Sequence, residues 1–238
     1  VDSNEEGLSS LSQELALRDV RCWTEKVDVC DTEQVEMLAR RCFESYGGAQ
    51  LLFNNAGILD SSNCWECPPK RWRQMLEVNV MGVVNGIHCF IPRMIEQNCE
   101  SHVVNTASIG ALFAAPTMGA YTASKMAVRG ITETLHYELQ MMNAKIGVSL
   151  LCPGPIATSM SAYHANKNSS DVKIDHSVLL DKPGFKSPQV CAELVIEAVR
   201  NKQYWIFTHP EFKCDYLRNA QALVDEDIPS FFPLGFES

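Results

Sequence analysis

Short apolar runs around Asp28 and over 51–53, 102–106, 146–152 and 204–207 alternate with stretches of helical periodicity at about 5–18, 32–46, 69–97, 121–142 and 188–201, and a last helix is expected near 212–224. Strand-helix alternation of this kind leaves few options: it predicts a doubly wound α/β fold, a parallel sheet with helices on both faces. No internal repeat breaks the pattern, and no Pro-, Gly- or Ser-rich linker divides it. The 238 residues are therefore expected to form one domain, since α/β domains of this size often stay undivided. The segment 156–187 departs from the rhythm, carrying Pro, Ser, Asn, His and Tyr with weak periodicity. Loops that long in compact domains are usually functional, so a lid over the site is expected there.

An excess of 29 acidic over 20 basic side chains, a net charge of −9, argues against the basic footprint that nucleic acids or anionic membranes require. A small-molecule substrate becomes the expected partner. No run reaches the roughly 18 apolar residues of a membrane span, and the acidic start does not resemble a signal peptide; a cytoplasmic location is expected. The ten cysteines are then reduced thiols. Cys64 and Cys67 form a CxxC, but no second pair and no His at ligand spacing accompany them, so no metal site is expected.

Ligands of open α/β sheets bind beyond the carboxyl ends of the strands, and three unusual turns fall there: NNAG (54–57), TAS (106–108) and PGP (153–155). Each has an ordinary explanation, because Asn and Gly form turns, Ser caps helices and Pro-Gly is turn punctuation. Three at one edge are less easily ordinary. At the head of the next helix stands YTASK (121–125), in which Tyr121 and Lys125 share a helical face with Val128, Thr132, Leu135 and Leu139. A lysine on an apolar stripe either snorkels to water or serves a ligand. Beside a phenol, such a cation is expected to lower the phenol's pKa and so equip it as a general acid or base. Asn79 lies on the apolar stripe Trp72, Leu76, Val83, Ile87, Phe90 of its helix. It either bonds a neighbouring helix or holds a site water.

NNAG after a strand, Asn79 in a long helix, Ser108 after the next strand, YTASK thirteen residues later and PGPIAT (153–158) after the strand beyond resemble, in order, the short-chain dehydrogenases/reductases. The resemblance covers nearly the whole chain. It implies a Rossmann-like fold and an oxidoreductase interconverting an alcohol and its carbonyl compound by hydride transfer with NAD(H). Tyr121 would be the general acid/base. Lys125 would bind the nicotinamide ribose, Ser108 would hold the substrate oxygen, and Asn79 a proton-relaying water. Pro153, Ile156 and Thr158 would line the nicotinamide, Asn54 and Ala56 the adenosine ribose, and Asp28 and Val29 the adenine. Asp2 matches the acid that binds the adenosine ribose hydroxyls; it would repel a 2′-phosphate, which favours NAD over NADP. The family's oligomers pair through the helix bearing Gly82 and Gly86 and the one after it, so a homodimer or homotetramer is expected. The stretch IGALFAAPTMGA (109–120), with Met160, Tyr163 and His164, suggests a mainly apolar pocket; the alcohol is expected to be a secondary one.

One departure from the family is large. Members begin with a strand, a Gly-rich turn and a helix that bind the pyrophosphate, and none of the thirteen glycines forms that turn. Val1 and Asp2 read as the end of a strand entering the acidic helix of EEGLSS. The chain is therefore expected to lack the first strand, the first helix and most of the second strand, about 30–40 residues, to leave a gap between the Asp28 strand and 51–53, and by itself neither to fold cooperatively nor to bind NAD. The rival expectation is a non-catalytic relative, an oligomerising or regulatory subunit that does not bind dinucleotide.

Overall fold

The computed structural model describes residues 1–162 and 175–228. Its sheet has four parallel strands in chain order, β1 (Leu51–Asn54), β2 (Ser101–Thr106), β3 (Ile146–Cys152) and β4 (Trp205–Phe207). Leu51 lies opposite His102, Ser101 opposite Ile146, and Leu150 opposite Trp205. Successive side chains of β2 point to opposite faces, and both faces are covered. Val103 joins a core with Val35 and Ala39 of α2 (Thr32–Tyr46), Phe90 and Met94 of α4 (Gly82–Gln97), and Leu135 and Leu139 of α5 (Gly119–Met141). Val104 joins Leu151, Ile206 and, from α6 (Pro188–Arg200), Val195 and Ala198.

Caps fix where the helices start. Asn4 accepts from the Gly7 amide at the head of α1 (Glu5–Leu17), Asp31 accepts from the Glu33 and Gln34 amides at α2, and Ser187 accepts from the Val190 amide at α6, whose first residue is Pro188. A last helix, α7 (Phe212–Val224), packs Phe212 and Tyr216 on Phe113.

One expectation needs correction. The run near Asp28 is no strand of the sheet: among the described residues it makes one parallel bridge, Asp2 to Lys26, with the Val27 amide on the Asp2 carbonyl at 3.1 Å. A strand exists only where a neighbour pairs with it, and among the described residues β1, the sheet's edge, is paired only with β2. Leu51 and Phe53 on β1 are each 41% exposed.

The helix expected over 69–97 is present and contains a π turn: α3 (Pro69–Leu76), the π turn (Glu77–Met81) and α4 follow without a break, with the Gly82 amide bonded to the Glu77 carbonyl. The extra residue of a π turn rotates the helical face by about 100°. Below the turn, therefore, Met75 is buried and Leu76 of the expected stripe is 38% exposed, while Asn79 itself is fully buried. By length and composition alone this run could cross a membrane, but Val83, Cys89, Phe90 and Met94 are buried in the core. Its small residues permit close approach. A Cβ at Gly82 would lie 2.8 Å from Val29 Cγ2, and one at Gly86 only 2.0 Å from Asn54 Oδ1.

Of the segment 156–187, residues 163–174, with Tyr163 and His164, lie outside the described residues. The described ends run together: Ile156 bridges Lys186 in parallel, and Leu179 packs with Ala157 and Ala162.

Candidate active site

The carboxyl ends of β1, β2 and β3 deliver Asn54, Thr106 and Cys152 to one edge, and α5 starts beside them. The α5 stripe reads as expected, with Val128, Thr132, Leu135 and Leu139 all buried and Lys125 4% exposed. Lys125 does not snorkel. Its Nζ donates to the Thr106 carbonyl at 2.9 Å and stands 5.7 Å from the centre of the Tyr121 ring. Ser108, 8% exposed, accepts from the Gly110 amide at 3.1 Å. Gly110 lies between Ser108 and Tyr121, since a Cβ there would be 3.6 Å from Ser108 Oγ and 3.4 Å from Tyr121 Cε1.

Asn79 bonds both the loop after β1 and the neighbouring helix α5. Its Oδ1 accepts from the Ile58 amide at 2.8 Å, and Nδ2 donates to the Ile58 carbonyl at 3.0 Å and to Ser124 Oγ at 3.0 Å. Ser124 in turn donates to the Tyr121 carbonyl at 2.7 Å. The π turn thus clamps the loop after β1 to the first turn of α5. Gly57 closes the arrangement, as its Cβ would sit 3.3 Å from Asn79 Oδ1 and 3.5 Å from Lys125 Nζ.

Electrostatics overturns one expectation. Burial raises the Tyr121 phenol above its ordinary value, and the Ser108 hydroxyl only opposes this. Burial also pulls Lys125 down to about 8, against a smaller upward effect of Cys152. The phenol and the ammonium are both desolvated, which pushes each toward its neutral form. Cys152 itself, beneath them in β3, is pushed up to about 12 by burial and stays a thiol.

The remaining site residues fall into two groups. Beside Tyr121, the Pro153 carbonyl accepts from the Ile109 amide at 2.9 Å and from Ser108 Oγ at 3.5 Å. The Ile156 carbonyl accepts from Ser161 Oγ at 2.7 Å, and Thr158 Oγ1 lies 3.3 Å from the same hydroxyl. Along α4, Asn85 Nδ2 holds the Val29 carbonyl at 2.8 Å, and Asn54, which packs on Gly86 of that helix, donates Nδ2 to Asn105 Oδ1 of β2 at 2.8 Å. Asp28 turns its Oδ1 to the Cys30 amide at 2.9 Å, and Asp2 turns its Oδ1 to the Asn4 amide at 3.0 Å. Both belong to the segments joined by the bridge of Asp2 to Lys26. Ala56 is exposed.

Sequence reasoning placed Thr132 on the α5 stripe without a role and missed Ser124 and Asn105. Asn105 passes the Asn54 bond on to Thr132 Oγ1 at 3.0 Å, and Thr132 ends it on the Val128 carbonyl at 2.7 Å. A polar side chain on a buried face, the signal that singled out Asn79, marks all three. Among the described residues no group of three or more His, Cys, Asp or Glu could hold a metal ion.

The family model described as short chain dehydrogenase matches residues 1–169. A CLA biosynthesis dehydrogenase/reductase from Lactiplantibacillus plantarum is 30% identical, over 96% of this chain and 85% of its own. A 1-deoxy-11-beta-hydroxypentalenate dehydrogenase from Streptomyces exfoliatus is also 30% identical, over 89% of this chain and 73% of its own. Among solved structures, a short chain dehydrogenase/reductase from Burkholderia phymatum in complex with NAD superposes with a TM-score of 0.85 at 30% identity, covering 96% of this chain and 85% of that one. With the parallel sheet and these matches in agreement, the chain belongs to the short-chain dehydrogenase family, an oxidoreductase with the Rossmann-like α/β fold.

Proposed function

We propose that the protein interconverts an apolar secondary alcohol and its carbonyl compound with NAD, in preference to NADP. The observation that carries this is Lys125. Its ammonium is 4% exposed, and its hydrogen-bond partner among the described residues is a single carbonyl, that of Thr106. An ammonium has three donors, so burial leaves two N–H groups suited to neighbouring hydroxyls, such as those of a nicotinamide ribose. The dinucleotide supplies the hydride, or accepts it.

This chain's residues do the rest. Tyr121, kept protonated by burial, gives its proton to the carbonyl oxygen in reduction and takes one back in oxidation. Ser108 holds that oxygen. Asn79, whose amide is committed to Ile58 and Ser124, keeps a second Oδ1 lone pair for a relaying water. Pro153, Ile156 and Thr158 form the nicotinamide side, Asn54 and Ala56 the adenosine ribose side, and Asp28 and Val29 the adenine wall. Asp2 meets the ribose hydroxyls and disfavours a 2′-phosphate. The pyrophosphate is assigned to no described residue, because none of their glycines forms a strand-turn-helix. Ile109, Leu112 and Phe113 of the apolar stretch are core, packed on Trp205, Phe207 and Phe212. Substrate contact therefore falls to the more exposed 114–118. Pairing of copies through α4 and α5 would cover Met126 and Tyr137, which are 41% and 61% exposed.

Titration with NADH, followed by nicotinamide fluorescence, tests the proposal. Saturable binding that Lys125→Met weakens at least tenfold supports it. No saturation by the complete protein would favour the non-catalytic subunit.

A further inference from the structure

His209 takes no part in the proton transfer above, yet it is built into the wall of the same site. It is 1% exposed, at the residue after Thr208, which is fully buried. Its Nε2 lies 2.8 Å from the Gly184 carbonyl and its Nδ1 lies 2.7 Å from Thr208 Oγ1. A carbonyl only accepts, so Nε2 carries the proton and Nδ1 is the acceptor of a neutral ring. Burial favours that neutral form. The Thr208 hydroxyl therefore donates to Nδ1, while its oxygen accepts from the Gly154 amide at 3.1 Å. One directional chain results, from the Gly154 N–H through Thr208 and His209 to the Gly184 carbonyl.

Steric evidence is independent of these bonds. A Cβ on Gly154 would come 2.5 Å from His209 Nδ1 and 2.6 Å from its Cγ, so the ring lies flat against the turn and only glycine leaves room for it. Gly184 has φ +82°, a backbone state that favours glycine. Two residues on, Lys186 donates Nζ to the Thr208 carbonyl, while its amide bonds the Pro155 carbonyl at 3.1 Å and its carbonyl receives the Ala157 amide at 2.9 Å.

We infer that His209 is the positioning residue of the nicotinamide wall, fixing the turn 153–155 through Nδ1 and tying it through Nε2 to the returning strand of chain at 184–186. The kinetic side of this inference rests on the dinucleotide site proposed above; the structural side does not.

The two arms can be cut separately. Asn places an acceptor near the Nδ1 position and loses the contact to Gly184, whereas Gln places a donor near the Nε2 position and loses the acceptor for Thr208. In His209→Gln, kcat/KM for NAD is expected to fall about fivefold, one neutral hydrogen bond's worth, and amide exchange to quicken over 153–157. In His209→Asn, the kcat/KM loss is expected to be smaller and the faster exchange to appear over 182–187. His209→Ala should show both effects; if it does not fold, the Asn and Gln variants still decide. Equal kinetic losses in those two without the crossed exchange pattern would overturn the inference, as would wild-type kinetics and exchange in His209→Ala. Exchange needs no turnover, so if Tyr121→Phe shows that the oxidoreductase proposal itself is wrong, the exchange pattern still tests the network.

Discussion

Lys125→Met is expected to make the protein more stable while disabling it. The native ammonium sits at about 8 against an ordinary 10.5, and each unit is worth about 1.4 kcal/mol, so burial costs about 3 kcal/mol wherever the lysine is charged in both states. The sign follows from proton binding. Between about pH 8 and 10.5 the unfolded chain holds the extra proton, so stability rises with pH through that window, and below it the full cost remains. Methionine keeps the stem's packing and removes the charge, but it leaves the Thr106 carbonyl without this donor, a loss of about 1–2 kcal/mol. The net expectation at pH 7 is a gain of about 1–2 kcal/mol. By pH 9.5 the wild type has relieved about 2 kcal/mol of its own cost, so the gain should vanish. Urea melts of both proteins at the two pH values measure this. A pH-independent difference, or a variant several kcal/mol less stable at pH 7, would refute the reasoning.

Three further outcomes are expected. Ser124→Ala removes the hydroxyl between Asn79 and the Tyr121 carbonyl and should cost about 1–2 kcal/mol in a urea melt, with a measurable fall in kcat. Gly86→Ala drives a methyl to 2.0 Å from Asn54 Oδ1, so Asn54 must leave Asn105; a loss of about 1–3 kcal/mol should appear in the same assay. Because Lys125 loses its proton above about 8 in the free protein, kcat/KM for dinucleotide should decline through that pH in the wild type and stay flat in Lys125→Met.

What the sequence made legible follows from period and order. The i, i+4 stripe of Tyr121, Lys125, Val128 and Thr132 needs only helical geometry, and all but Tyr121 are buried as expected. The three turns at one sheet edge followed from strands read as parallel. The π turn was not legible, because one inserted residue leaves the apolar spacing plausible on either side and shows itself only when Met75 is buried in place of Leu76. The run at Asp28 has a strand's composition, but pairing depends on neighbours in space. The direction of the Tyr121 shift depends on desolvation, which motif spacing does not report. His209 carried no signal, since only Thr208 is its neighbour in sequence while Gly154 and Gly184 come from distant turns.

Tyr121→Phe tests the proton-transfer claim most directly. The ring and its packing remain while the hydroxyl beside Ser108 is lost, and oxidation of a panel of apolar secondary alcohols is followed by NADH absorbance. Turnover is expected to fall by about 10²–10⁴-fold, with NADH affinity within about twofold of wild type. Wild-type turnover in that variant would contradict the assignment of Tyr121 as the acid and base.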